Sequence, residues 1–335
     1  MMKGLKKLSL AIGAVLVLSL SASIQLSSAQ EAVRIGTSSM GSLWYTVAIG
    51  ASEIIQKYGN LNTTVEPLGG SSANIFGLGA KKIEFAMANS FAAFSGYYGT
   101  YTFKKPVDIR LVLQGQPNFR IMVVRKGTNI KTPEDLIGKT VIGKRRALPE
   151  NEVLMDAFLK VFKLPKDKIK IVATTTSPET YDALRAGSVD AAIVPGSRRT
   201  AAIEKPIREG VIEFMYLSKE QRDAILKLLP KAFYADTFEP GGFTGQDKPL
   251  HTFGMNTYFI TRTDMSEDVV YRMAKALLEH TAEFATYHKA ALQWTAKSTL
   301  SNVALPFHAG VIRYFKEKGL WTPELEATQK EFLSR

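Results

Sequence analysis

Two separated stretches of this chain are built to one plan, and that duplication constrains the fold more than any other feature of the sequence. In the first, the short run Val33-Arg-Ile-Gly36 leads into a loop of small polar residues, Thr37 to Ser42. Apolar residues at Val47, Ile49, Ile54 and Ile55 then set a helical period over Trp44 to Tyr58. A second strand, Asn62 to Leu68, ends at Gly69-Gly-Ser-Ser72; a helix over Ala73 to Ala80 follows, and Ile83 to Met87 is a third strand closing on Asn89-Ser90. The later stretch repeats the order. Thr140-Val-Ile-Gly143 is its first strand, Lys144 to Asn151 the loop and Glu152 to Phe162 the helix, with Lys170 to Ala173 the next strand and Thr174 to Ser177 the next loop. Ser177 reads as a helix cap before Pro178, the helix runs to Arg185, and Ser188 to Val194 is the third strand.

Strands alternating with helices through short Gly/Ser loops predict a parallel, doubly wound sheet, because each crossover has to return over the sheet face. A unit present twice predicts two lobes. Between them, Ile109 to Arg125 reads as two strands broken at Gly115 to Asn118, a place for the chain to cross over. A polar, Gly/Pro-rich excursion from Asp236 to His251 precedes a strand over Gly254 to Ile260, the second crossing, and helices follow, including one over Asp268 to Tyr287. The expected architecture is an α/β clamshell of two doubly wound lobes joined by a two-strand hinge. Residues 30–118 with 251–335 form lobe 1 and residues 119–250 form lobe 2.

The N-terminus carries Lys3, Lys6 and Lys7, then an apolar run from Leu10 to Leu20, then small residues ending at Ala29. That is the order of a secretory signal, expected over residues 1–29 and cleaved after Ala29. The run is shorter than the roughly 20 residues of a spanning helix. The sequence contains no cysteine, so disulfides, thiolate metal sites, a Cys nucleophile and a lipidated N-terminal Cys are excluded. The mature protein is expected to be periplasmic, soluble and not a lipoprotein.

A formal charge of +12 invites a nucleic-acid reading, and loss of the three leader lysines leaves about +9. The basic residues are spread along the chain, with small clusters at Lys144-Arg-Arg146 and Arg198-Arg199, and no basic run is interleaved with aromatics. No nucleic-acid partner is expected. Gly138-Lys-Thr140 resembles the end of a phosphate loop, but the required Gly five residues earlier is Pro133. The four histidines form no short ligand pair, and no nucleophile elbow is present, so neither metal, cofactor nor catalytic residue is assigned.

In open parallel sheets ligands bind beyond the carboxyl ends of the strands, where loops and helix N-termini converge and favour an anion. The loops there supply Ser38, Ser39, Gly41, Ser42, Trp44, Tyr45, Ser71, Asn89, Ser90, Arg145, Arg146, Ser197 and Arg198 as candidate ligand contacts. Serines and glycines bring hydroxyls and free N–H groups close to a ligand without bulk. Arg145 or Arg146 suits a bidentate carboxylate clamp, unless their loop turns outward into solvent. Trp44, Phe119, Phe243 or Phe253 suits cover for an apolar part of the ligand.

The segment Ile35-Gly-Thr-Ser-Ser-Met-Gly-Ser-Leu-Trp-Tyr45 resembles the IGTGGTGGTYY segment of the TAXI-type solute-binding receptors of tripartite ATP-independent periplasmic (TRAP) transporters. The resemblance runs on through Gly69 to Asn74, Ile83 to Ser90, Val123 to Lys126, Asp135 to Lys139, Gly187 to Ala191, and Leu305 to Gly310 before Tyr314 to Gly319. It implies a type II periplasmic-binding-protein fold, no catalysis, a monomer, and delivery of a dicarboxylate, oxoacid or acidic amino acid to membrane permease subunits. The chain departs from the family at Ser38, Ser39, Met40, Ser42 and Leu43, and Lys144 to Asn151 replaces a PxGSGT-like loop. Two rivals stay open: a binding module that signals to a membrane sensor, and an enzyme on the same clamshell, for which Glu150 and Glu152 are the only obvious loop carboxylates.

Overall fold

The computed structural model describes residues 32–334 apart from Ser39, Gly41, Arg146, Ala147 and Arg199. The expected signal segment therefore lies outside the described residues. From Ala32 onward the chain forms one compact unit. Its first part runs β1 (Ala32–Thr37), α1 (Leu43–Gly59), β2 (Asn62–Pro67), α2 (Ser71–Gly79), β3 (Phe85–Asn89), α3 (Ser90–Tyr98) and the long β4 (Ile109–Arg125). The repeat follows as β5 (Thr140–Arg145), α4 (Glu150–Val161), β6 (Lys170–Thr174), α5 (Ser177–Arg185) and β7 (Ala191–Gly196). Next come α6 (Ala201–Arg208), β8 (Ile212–Phe214), α7 (Lys219–Leu226), β9 (Tyr234–Phe238) and β10 (Leu250–Arg262). The chain ends with α8 (Glu267–Glu279), α9 (Thr281–Tyr287), the short α10 (Ala296–Thr299), α11 (Ala309–Glu317) and α12 (Pro323–Leu333).

These strands form a single mixed sheet in the order β2-β1-β3-β10-β4-β7-β5-β6, with β8 beside β4 and β9 beside β10. Each repeated unit is parallel, as its crossover helices require: β1 pairs β2 and β3, and β5 pairs β6 and β7. The antiparallel pair β4 and β10 is inserted between the two parallel groups. The sheet is thus mixed where the repeats alone predicted a parallel one.

Three apolar clusters pack on this sheet. One gathers residues from Val33 to Leu113 and from Tyr258 to Phe315; the other two draw almost wholly on residues between Phe119 and Met255. Helix α4 shows how the pattern earns its place. It buries Leu154, Met155 and Phe158 on one stripe and leaves Glu152, Asp156 and Lys160 to solvent or its margin. Each such side chain contributes about 1.5–3 kcal/mol of burial.

Three local expectations need correction. Gly115 to Asn118 does not break the strand: β4 continues through it with a bulge beside Pro117, where Gly115 and Gln116 lie opposite the single Thr257 of β10. The helix expected over Asp268 to Tyr287 is split at His280, where the Thr281 hydroxyl donates to the carbonyls of Leu277 and Leu278, each at 3.2 Å. Thr176, not Ser177, caps α5, in a box with Glu179. At the other end of the parallel group, the Asp190 carboxylate accepts from the Thr140 amide at 3.0 Å and from Arg125 at 2.9 Å, tying the starts of β5 and β7 to the end of β4.

Candidate functional site

The carboxyl ends of the parallel strands lead directly or through short loops into the helices that follow. After β1, Ser42 caps α1 by accepting from the Tyr45 amide at 3.1 Å, while Ser38, Trp44 and Tyr45 are half-buried and Trp44 packs against the first core. Gly69 and Gly70 hold φ of 104° and 128°, values that favour glycine, and so let the chain turn directly into α2. The Ser71 hydroxyl then accepts from the Asn89 amide at 3.0 Å. Asn89 caps α3, and the buried Ser90 hydroxyl donates to the Ala232 carbonyl at 2.8 Å while accepting from the Asn256 amide. These serines are engaged in caps and strand contacts. Ser39, Gly41 and Arg146 lie outside the described residues.

Arg145 donates to the Thr175 carbonyl at 3.2 Å and to the Ser177 hydroxyl at 2.8 Å, so its hydrogen-bond partners among the described residues are neutral oxygens. Burial, and behind it the like charge of Arg120, lowers its guanidinium from the ordinary value. Lys144 pairs with Glu152 at the surface. Phe243 and Phe253 belong to the cores, where Phe243 packs on Phe214 and Phe238, and neither lines the groove described next.

A groove of about 480 Å³ lies over the middle of the sheet. Its floor is Gln116, Pro117 and Phe119 of β4; Leu43 of α1 and the segment His288 to Gln293 line one side, and Ser197 and Arg198 the other. The predicted residues Ser197 and Arg198 are therefore brought to it, while Ser71, Asn89 and Ser90 are not. Arg198 pairs with Asp236 at 2.9 Å and stacks over the Phe238 ring at 4.5 Å. Lys289 has no carboxylate partner among the described residues, and no Asp or Glu lines the groove. Gln116 accepts from the Trp294 indole at 2.7 Å through its oxygen, which leaves its buried amide nitrogen without a partner. Lys289, together with the exposed part of Arg198 left over from its pair with Asp236, gives the groove a charge that suits an anion.

Sequence reasoning missed the most buried charges in the molecule. Arg120 and Glu150 form an ion pair with no exposure on either side chain. Glu150 also accepts from the Asn89 side-chain amide at 3.0 Å, and Arg120 donates to the Asn118 side chain at 2.7 Å and the Phe119 carbonyl at 3.0 Å. The usable signal was Arg120 inside the run Phe-Arg-Ile-Met-Val-Val of a strand apolar on both faces. Such an arginine has to find a buried partner. Among the described residues no group of three His, Asp or Glu is placed to hold a metal ion, and no helix is long and apolar enough to cross a membrane.

Sheet order, with an antiparallel crossing pair between two parallel groups, defines an α/β clamshell of the periplasmic-binding-protein-like kind. XAC2383 from Xanthomonas citri, solved bound to ATP, superposes with a TM-score of 0.55 at 11% identity, over 86% of this chain and 99% of that one. A putative periplasmic sulfonate-binding protein, SsuA, from Methylobacillus flagellatus KT superposes with a TM-score of 0.50 at 14% identity, over 91% and 95%. At these identities the likeness is one of fold. The family model of the NMT1-like family matches residues 35–319, and the chain belongs to that family.

Proposed function

We propose that the protein is a periplasmic solute-binding receptor of a TRAP transporter, capturing a small organic anion and handing it to membrane permease subunits. The observation that carries the anion is the groove lining, which holds Arg198 and Lys289 and, among the described residues, no carboxylate. The groove is lined by β4 of the crossing pair and by residues assigned to opposite lobes, 30–118 with 251–335 and 119–250. Closure bends the pair β4 and β10 near Gly115 to Asn118 and His251 to Asn256, and brings Ser38, Ser42, Trp44 and Tyr45 toward Ser197 and Arg198. A monomer suffices for this cycle, and the closed form presents the permease with its docking surface.

Thermal-shift assays across dicarboxylates, oxoacids, acidic amino acids and aromatic acids test the ligand class. At least one anion is expected to raise the unfolding midpoint saturably. No stabilisation by any of them overturns the reading.

A further inference from the structure

Glu150 begins α4 after β5, and Asn89 ends β3, so their hydrogen bond joins the strand ends of the two repeated units. Arg120, on β4 beside the groove floor, meets the same carboxylate oxygen. Both charges are fully buried, yet the Arg120 Nε and the second Glu150 oxygen have no partner. A buried ion pair with unpartnered atoms is a poor stabilising device, because desolvating two charges offsets most of their attraction, and an apolar pair often does as well. What the arrangement does provide is a carboxylate already seated on an arginine and an amide, where two sets of strand ends meet.

Resting on the receptor reading above, but setting the ligand's carboxylate beneath the groove rather than on its lining, we propose that Glu150 is an internal stand-in for the ligand: a captured carboxylate passes beyond Phe119 to take its place on Arg120 and Asn89, and Glu150 is released. The exchange replaces one negative charge on Arg120 by another, so no buried charge is left uncompensated. Arg145 offers the released carboxylate a partner, since its hydrogen-bond partners among the described residues are the neutral oxygens of Thr175 and Ser177. Glu150 also remains in the first turn of α4, whose dipole favours a negative group. The internal carboxylate competes with every ligand, lowering apparent affinity by the fraction of molecules in which it occupies the arginine. The class of ligand is accordingly a small carboxylate, matched in shape and charge to the group it displaces.

Titration calorimetry of acetate and succinate into the unaltered protein, Glu150→Gln and Arg120→Gln, each checked for a cooperative unfolding midpoint, tests this exchange. Glu150→Gln is expected to bind at least one probe tenfold or more tighter than the unaltered protein, and Arg120→Gln to bind it tenfold or more weaker. Equal affinities, or no binding to Glu150→Gln, overturn the exchange; the receptor reading fails separately, on the wider anion panel. Should a variant not fold, the Arg120 Nε–H resonance of the unaltered, nitrogen-labelled protein reads the same event. Succinate is expected to move it and to leave that of Arg222, buried beside Asp223, in place. An unmoved Arg120 resonance overturns the proposal.

Discussion

Asp190 shows how much one side chain can organise. Burial by itself would raise its carboxyl, but the Thr140 amide and the Arg125 guanidinium outweigh it and hold the group below the ordinary aspartate range. The folded protein therefore binds fewer protons here than the unfolded chain, and the resulting stability is complete above the ordinary aspartate range and lost as pH falls through and below it. Urea midpoints of the unaltered protein and Asp190→Asn are expected to differ most at about pH 6 and to converge toward about pH 2. At this scale the sequence was readable only where a role is local. The start of α5 is a short-range pattern, read to within one residue as Ser177 for Thr176; Arg120 with Glu150, thirty residues apart on a strand and a helix, has no period to reveal it.

At the scale of elements, the crossing pair β4 and β10 carries the consequence. Gly115 lies flat under Trp294: a Cβ there would stand 2.0 Å from the indole. The indole is fully buried and hydrogen-bonded to Gln116, so it has no free path aside. Gly115→Ala is expected to destabilise by about 1–3 kcal/mol in urea titration, with loss of the near-ultraviolet signal of the packed indole. The sequence reading set a crossing with a break at Gly115 to Asn118, whereas β4 is continuous there. The strand survives because the irregularity is a bulge in β4 itself, where Gly115 and Gln116 together face Thr257, and whether a Gly/Pro pair breaks or bulges a strand is decided by a partner far away in the chain. Between α8 and α9 the stop comes from a threonine hydroxyl turned back onto two carbonyls rather than from a proline or glycine.

Across the whole molecule, the alternation of strands and helices was legible where a crossover helix carries an apolar period, as α1 and α4 do, and was missed at α3, which is buried on nearly every side. The order of strands in one sheet was not legible, since antiparallel insertion depends on contacts between Ile109–Arg125 and Leu250–Arg262, far apart in the chain. That order has a kinetic side. The core around β5, β6 and β7 draws on an unbroken run of sequence, whereas the core around β1 and β3 needs β10, α8 and α11 from the last quarter of the chain. Pulse-labelled hydrogen exchange during refolding is expected to protect amides of β5 and β7 before those of β1 and β3, and simultaneous protection would show a single nucleus instead. During synthesis the earliest strands to appear are thus the last to be completed. A chain halted short of Leu250 presents β3 as an open edge with Phe85, Ala86 and Met87 unpaired on one side, a ready template for aggregation, so keeping that edge occupied or apart falls to whatever accompanies the chain until its end arrives.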